Sequence, residues 1–322
     1  MKRTDDESAV SVLPHGAWLR AMGIVAMMLS LSVSCDGPKE DEEAFVALYN
    51  AVQAAEDHYG QGLGRARVVE KYREEVQEKV VHFKYKGDLM RSDVRVSDEK
   101  GELKREFKSV YTPEVYIWAN DWSAVINERP PAMETAFGEQ MHPSVFNSNG
   151  PLTLKDYFQR LYTGYHEGEV EVSVTIDRSG LIHMNTSVKH EKGNKSDVQD
   201  MVIDSEDGYR IVSTTTEFKD LDTPGHRETQ TYHVNWKRYG QQWYVTSATY
   251  DRNDVVPVDG ELKPFTRSWS INIEEYEAGA EIDDFEFTLA GLYEGRRMHV
   301  RDKIKGKAYA YYGDAATAEV NK

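Results

Sequence analysis

The chain has 322 residues, with 39 lysines and arginines against 55 aspartates and glutamates, and a formal net charge of −16. An acidic surface of this size repels phosphate backbones and anionic lipid head groups, which argues against nucleic-acid binding and against membrane adhesion through a basic patch. The single cysteine allows no disulfide within the fold, and a zinc site would have to use histidines and carboxylates. Stability must therefore come from a hydrophobic core.

The N-terminal segment has the order of an export signal. Arg20 precedes an apolar run over residues 21 to 33, and the small residues Ser32 and Ser34 close it, directly before Cys35. The run is too short to cross a bilayer, which takes roughly 20 apolar residues. We therefore predict that residues 1 to 34 are a signal peptide.

This segment, with Cys35 at its end, resembles the signal of a bacterial lipoprotein. The resemblance implies that Cys35 becomes the first residue of the mature protein and carries acyl groups such as palmitate, so that the protein is held in the cell envelope facing the periplasm. Asp36 matches the residue that favours retention in the inner membrane, so the inner membrane is weakly favoured and the outer membrane stays open. The triplet Ser32-Val33-Ser34 also fits an ordinary signal peptidase, which would leave Cys35 unmodified.

After the signal, charged and turn-forming residues predict a tether over residues 35 to 43 and a folded domain over 44 to 322. Phe45, Leu48 and Val52 recur at helical spacing, which predicts a first helix. A second, aromatic-rich amphipathic stretch near residues 152 to 165 predicts a helical lid.

Most of the remaining chain alternates with a period of two. Val81, Phe83 and Tyr85 alternate with polar residues, as do the four apolar residues between 170 and 176, and this pattern is typical of strands with one wet face. Residues 110 to 119 are apolar on both faces and predict one central strand. We therefore predict a mainly β fold, a large curved antiparallel sheet or unclosed β-barrel covered by two helices.

Four segments, in the order of the predicted elements, carry a family resemblance: residues 80 to 93, 115 to 118, 180 to 183 and 285 to 302. Together they resemble the periplasmic outer-membrane lipoprotein carrier and lipoprotein-sorting family. It implies an unclosed antiparallel barrel that is covered by helices and binds acyl chains inside. A lipid anchor at Cys35 implies a divergent, receptor-like member.

No pattern in the sequence points to catalysis or to a cofactor. The ten histidines include no close metal-binding pair, no Gly-x-Ser-x-Gly motif is present, and the fold has no thiol. We therefore expect no enzyme, no cofactor and no metal, although a hydrolase whose carboxylates the sequence does not reveal remains an alternative.

Aromatic residues are the best candidates for a binding site, since 19 tyrosines and six tryptophans are many for a core alone. The residues that we expect to line an apolar site are Phe83, Tyr85, Trp118, Phe158, Leu161, Trp236, Trp243 and Trp269. The sequence thus predicts a lipid-anchored envelope protein that binds an acyl chain or another apolar ligand under the helix at 152 to 165. The alternative is a scaffold or interaction protein whose core is filled.

Overall fold

The structure is a computed structural model that describes residues 37–55, 60–112, 114–128, 141–146, 154–189, 195–206, 208–220, 227–258, 261–293, 295, 297–313 and 317–319. The predicted signal peptide and Cys35 lie outside these residues. None of the helices in this part of the chain is both long enough and apolar enough to cross a membrane.

Two long helices and two short ones are described. They are α1 (Gly37–Ala54), α2 (Pro143–Phe146), α3 (Leu154–His166) and α4 (Leu289–Leu292), with a 3-10 turn at Asp284–Phe287. The helix α3 agrees within two residues with the helix predicted over 152 to 165. The helix α1 begins at Gly37, within the range 35 to 43 that the sequence predicted as a tether; lysine and glutamate favour helix formation.

Sixteen strands account for most of the described chain. They are β1 (Gln61–Tyr72), β2 (Glu75–Lys86), β3 (Leu89–Asp98), β4 (Leu103–Tyr111), β5 (Val115–Ala119), β6 (Ser123–Glu128), β7 (Val170–Ile176), β8 (Ile182–Lys189), β9 (Lys195–Asp204), β10 (Arg210–Asp220), β11 (Arg227–Tyr239), β12 (Gln242–Val258), β13 (Glu261–Ala278), β14 (Met298–Asp302), β15 (Lys307–Tyr311) and β16 (Thr317–Glu319). The segment predicted as one strand over 110 to 119 is interrupted, because Thr112 and Val115 close a turn through backbone and hydroxyl hydrogen bonds.

These strands form one sheet in the order β16-β15-β14-β6-β5-β4-β3-β2-β1-β13-β12-β11-β10-β9-β8-β7. Neighbouring strands are antiparallel except for the parallel pair β14 and β6. The order contains two meanders, β1 to β6 and β7 to β13, which are joined where β1 pairs with β13. The predicted class, a mainly β fold with a curved, unclosed sheet and few helices, is confirmed.

One face of the sheet, which we call the inner face, carries two core clusters. The central core lies on β1 to β4 and β11 to β13 and includes Val81, Phe83 and Trp269. The lateral core lies between β7 to β10 and the two long helices. Both belong to the same face, because Thr214 of β10 is paired with Tyr232 on one side and Met201 on the other.

The opposite, outer face carries a third cluster around Val110, Phe287 and Leu292, where the C-terminal segment folds back over β3 to β6. Arg91 of β3 anchors this segment, since its guanidinium donates to Glu286 and, over 3.0 Å, to the carbonyl oxygen of Gly291. The segment therefore covers the outer face of the first meander.

The junction of the two meanders depends on a residue without a side chain. A Cβ at Gly64 would collide with the carbonyl oxygen of Glu275 on β13 and with the ring of Phe83 on β2. We expect Gly64→Ala to lower the free energy of unfolding by about 1–3 kcal/mol, the usual cost of overpacking, as measured by urea denaturation.

Gly164→Ala in α3 is the matched control. Its Cβ would lie 2.7 Å from Cγ2 of Val170, a side chain that can rotate, and alanine favours the helix by about 1 kcal/mol over glycine. A loss in Gly164→Ala as large as that in Gly64→Ala would contradict the assignment of the junction as the tighter site.

Candidate functional site

The space under α3, where the sequence predicted a ligand, is filled by side chains. Phe158 and Leu161 of α3 are buried against Met184 and Ile203 of the sheet, together with Phe45 of α1. The two helices also contact each other, because the rings of Tyr49 and Tyr162 stack at 4.1 Å. In the described residues, α3 is thus part of a packed layer.

Fewer of the described residues cover the central core. Its apolar surface runs from β2 to β4 on one side to β11 to β13 on the other, and the described side chains packed on it from outside the sheet are Met141 and Phe146. Both come from the short segment Met141 to Phe146, which contains α2. Each is almost fully buried, with 3% and 1% of its surface exposed.

Two hydrogen bonds hold this segment in place along the core. At one end Nε2 of His142 donates to the carbonyl oxygen of Gly87 over 2.6 Å, and the imidazole packs edge-on against the Tyr85 ring. At the other end the hydroxyl of Tyr232 donates to the carbonyl oxygen of Phe146 over 3.5 Å. The segment therefore spans the core from the β2–β3 turn to β11.

The eight residues predicted from the sequence do not meet at one site. The structure places five in or against the central core, namely Phe83, Tyr85, Trp118, Trp236 and Trp269. Phe158 and Leu161 belong to the lateral core. Trp243 lies apart from both, with the guanidinium of Arg210 stacked on its ring.

Sequence reasoning missed Met141, His142 and Phe146. They lie in the proline-containing stretch 130 to 151, which has no periodicity of two or 3.6. The available signal was the presence of three large side chains within six residues of an otherwise irregular segment.

One end of the central core is closed by charged side chains. Lys79 is buried 3.2 Å from Oε2 of Glu70, and Arg267 donates to Oε1 of the same carboxylate over 2.8 Å. Burial acts to raise the pKa of Glu70, but the charge of Lys79 and the hydrogen bonds from Trp269 and Arg267 outweigh it and hold the pKa below its usual value. Alternation along the strands puts these side chains on the inner face.

A second charged group continues the same end across the sheet. Arg252 donates to Asp254 over 2.8 Å and to Glu228 over 2.9 Å, and its residue is paired with Arg267 on the neighbouring strand. Burial tends to lower the pKa of Arg252, but the two carboxylates raise it. The opposite end is closed by the hydroxyls of Tyr85 and Tyr276, which hydrogen-bond to each other.

Among the described residues, no group of three or more histidine, cysteine, aspartate or glutamate side chains is placed to hold a metal ion. A cleft of about 260 Å³ on the outer face is lined partly by Arg95, Glu106 and Lys108, and its character is polar.

His142 makes the stability of the fold sensitive to pH. Burial lowers the pKa of His142 from 6.5 to about 4, against the opposing effects of the Gly87 hydrogen bond and the Asp88 charge. Between pH 4 and pH 6.5 the imidazole of the unfolded chain binds a proton, whereas that of the folded protein does not. The stability contributed by His142 is therefore present above pH 6.5 and is lost as the pH falls toward 4.

We expect His142→Gln, which can still donate to Gly87, to lose roughly 2 kcal/mol less stability than the unsubstituted protein between pH 7 and pH 5. Urea denaturation at both pH values measures this difference. His233→Gln, at an exposed strand position, is the control and should follow the unsubstituted protein. Identical pH profiles for all three proteins would contradict the burial of a neutral imidazole.

Comparisons with known proteins leave the family open. No protein-family model and no curated protein matches the chain. Two solved structures resemble it at 10% and 8% identity: a DUF1329 family protein from Desulfovibrio piger, with a TM-score of 0.34 over 77% of this chain and 96% of that chain, and an uncharacterized conserved protein from Thermus thermophilus, with a TM-score of 0.28 over 81% and 99%. Neither description names a lipoprotein carrier.

Proposed function

We propose that the protein is a non-enzymatic envelope protein that binds an acyl chain or another apolar ligand along the central core, in the place of Met141 and Phe146. The observation that carries the proposal is the contrast between the two inner cores. Among the described residues, two long helices cover the lateral core, whereas one short segment with two large apolar side chains covers the central core. Relative to the sequence-based prediction, the ligand site moves from α3 to α2.

The free energies of burial allow an acyl chain to replace Met141 and Phe146 on the central core. Burying a large apolar side chain contributes about 1.5–3 kcal/mol, so that Met141 and Phe146 together contribute roughly 3–6 kcal/mol to the closed state. Each methylene of a buried acyl chain contributes about 0.8 kcal/mol, so that about four to eight buried methylenes would offset the displaced side chains. Acyl chains of ordinary membrane length exceed this number.

The charged end and the tyrosine-rich end of the central core support a ligand that lies along this core, from one end to the other. The apolar floor between them includes Val94, Val234 and Ile271, while charged side chains close one end and tyrosine hydroxyls the other. An amphipathic ligand would place its chain on the floor and its polar group at an end.

A scaffold or interaction protein is the second candidate, and the filled lateral core under α3 favours it. A hydrolase is the weaker alternative, because the buried Asp254 and the partly buried Glu228 both accept hydrogen bonds from Arg252. A carboxylate that is engaged in this way is poorly placed to act as a general acid or base.

The proposed binding site predicts opposite effects for two phenylalanines of equal size. We expect Phe146→Ala to increase the affinity for a fluorescent fatty-acid probe at least fivefold, because removal of the ring opens the central core. Phe158→Ala removes the same ring from the lateral core and should leave probe affinity unchanged, although both variants lose about 3–5 kcal/mol of stability.

Probe titration at a temperature where both variants remain folded measures the effect. No probe binding by either variant or by the unsubstituted protein would exclude the ligand site and favour the scaffold. Stronger binding by Phe158→Ala alone would return the site to α3.

The proposal includes an anchor at Cys35, which holds the protein at the periplasmic face of the inner or the outer membrane. More than one acyl chain is needed for stable attachment, because a single chain gives only marginal binding.

We expect Cys35→Ser to move the protein from the membrane to the soluble envelope fraction and to abolish incorporation of labelled palmitate. Ser34→Ala, which leaves the cysteine in place, should still be labelled, and equal fractionation of both variants would contradict the anchor.

A further inference from the structure

The sheet opens between the neighbouring strands β10 and β11. The ladder between β10 and β11 runs from Lys219 to Ser213 and ends there, although β10 remains paired with β9 as far as Arg210. The strand β11 likewise remains paired with β12 as far as Tyr239. Irregularities in register occur on both sides of the opening, near Ile211 and near Trp236.

Two tryptophans and one arginine lie at this opening. The indole Nε1 of Trp236 donates across it to the carbonyl oxygen of Ile211 over 2.8 Å. Arg210 is almost fully buried, with 2% of its surface exposed, and its Cζ lies 3.5 Å from the ring centroid of Trp243. The Nη2 of Arg210 donates to Asp204 over 2.8 Å.

Three hydrogen-bond donors at the opening have no acceptor within the part of the chain that the structure describes. They are Nε and Nη1 of Arg210 and Nε1 of Trp243, and all three are buried. A guanidinium cannot lose its proton in a protein, and an indole nitrogen can only donate. Buried donors of this kind are normally paired, because leaving one unpaired destabilises the fold.

The chemistry of these three unpaired donors indicates the class of ligand that would bind them. All three are donors and two belong to a cation, so that the partner must supply acceptor oxygens and negative charge. Carboxylates and phosphates have this character and are the groups that arginine holds best. Arg238, whose guanidinium lies 5.8 Å from the Trp243 ring centroid, adds a second positive charge in a chain that is otherwise strongly acidic.

We propose that the opening between β10 and β11 is a binding site for an oxyanion, the carboxylate or phosphate group of a small ligand, which Arg210 and Trp243 bind through these three donors. Arg210 and Trp243, which supply the donors, are not part of the central core, and the site does not depend on binding of an apolar ligand there. Asp204 orients the guanidinium from the other side.

The test is thermal unfolding of the purified protein during titration with sodium phosphate or sodium acetate, with sodium chloride keeping the ionic strength constant. We expect a saturable rise in Tm with at least one of the two anions. Phosphate also stabilises proteins in general by exclusion from their surfaces, and that effect does not saturate. The two titrations decide whether phosphate or carboxylate is preferred.

Three variants distinguish an anion-binding role of Arg210 from a purely structural one. Arg210→Met should lose the saturable rise and, in chloride alone, should be no less stable than the unsubstituted protein, because it removes the unmet donors and leaves Asp204 partly exposed. Trp243→Phe keeps an aromatic ring and removes one donor, and should weaken the anion affinity severalfold. Arg91→Met is the matched control, since the buried Arg91 is paired with Asp93 and Glu286, and it should keep the saturable rise.

Two results would overturn the proposal. The first is the absence of a saturable response to either anion in the unsubstituted protein. The second is a response in Arg210→Met that equals that of the unsubstituted protein, which would mean that the anions act only through general exclusion.

Discussion

The pairing of β1 with β13 is the contact on which the rest of the molecule depends. Each meander is built from local hairpins, but the central core needs side chains from both, such as Val68 and Val81 from the first and Ala248 and Ile271 from the second. The ion pairs of Glu70 with Lys79 and Arg267 cross the same junction, from β2 through β1 to β13. The junction therefore sets both the apolar floor and its charged end.

Among the described residues, the inner face combines a lateral core covered by two long helices with a central core covered by one short segment. In the lateral core, large side chains of the two long helices pack closely against those of β7 to β10. The described cover of the central core is a short segment held by one histidine and one tyrosine hydroxyl. Charged groups at the end of the central core are paired within the protein, whereas Arg210, among the described residues, is paired on one side only.

The local sequence pattern predicted individual helices and strands well, but it did not predict which strands lie next to each other. The alternation of Val81, Phe83 and Tyr85 predicted which side of β2 is dry, and helical spacing predicted α3 nearly to the residue. Strand order is a non-local property, so the sequence could not tell that Phe83 and Phe158 lie in different cores. The contact of Trp243 with Arg210 depends on an opening in the sheet, which leaves no local signature.

The strand order also constrains how the chain reaches its native state. Because β1 pairs with β13, the first meander is synthesised with an unpaired edge that finds its partner only after β2 to β12 have been made. Contacts of such long sequence separation slow folding, and an open edge in the interim invites association with other chains. A truncation that ends before Glu261 would leave β1 without its second neighbour, so that the first meander has to be protected until the last long strand arrives.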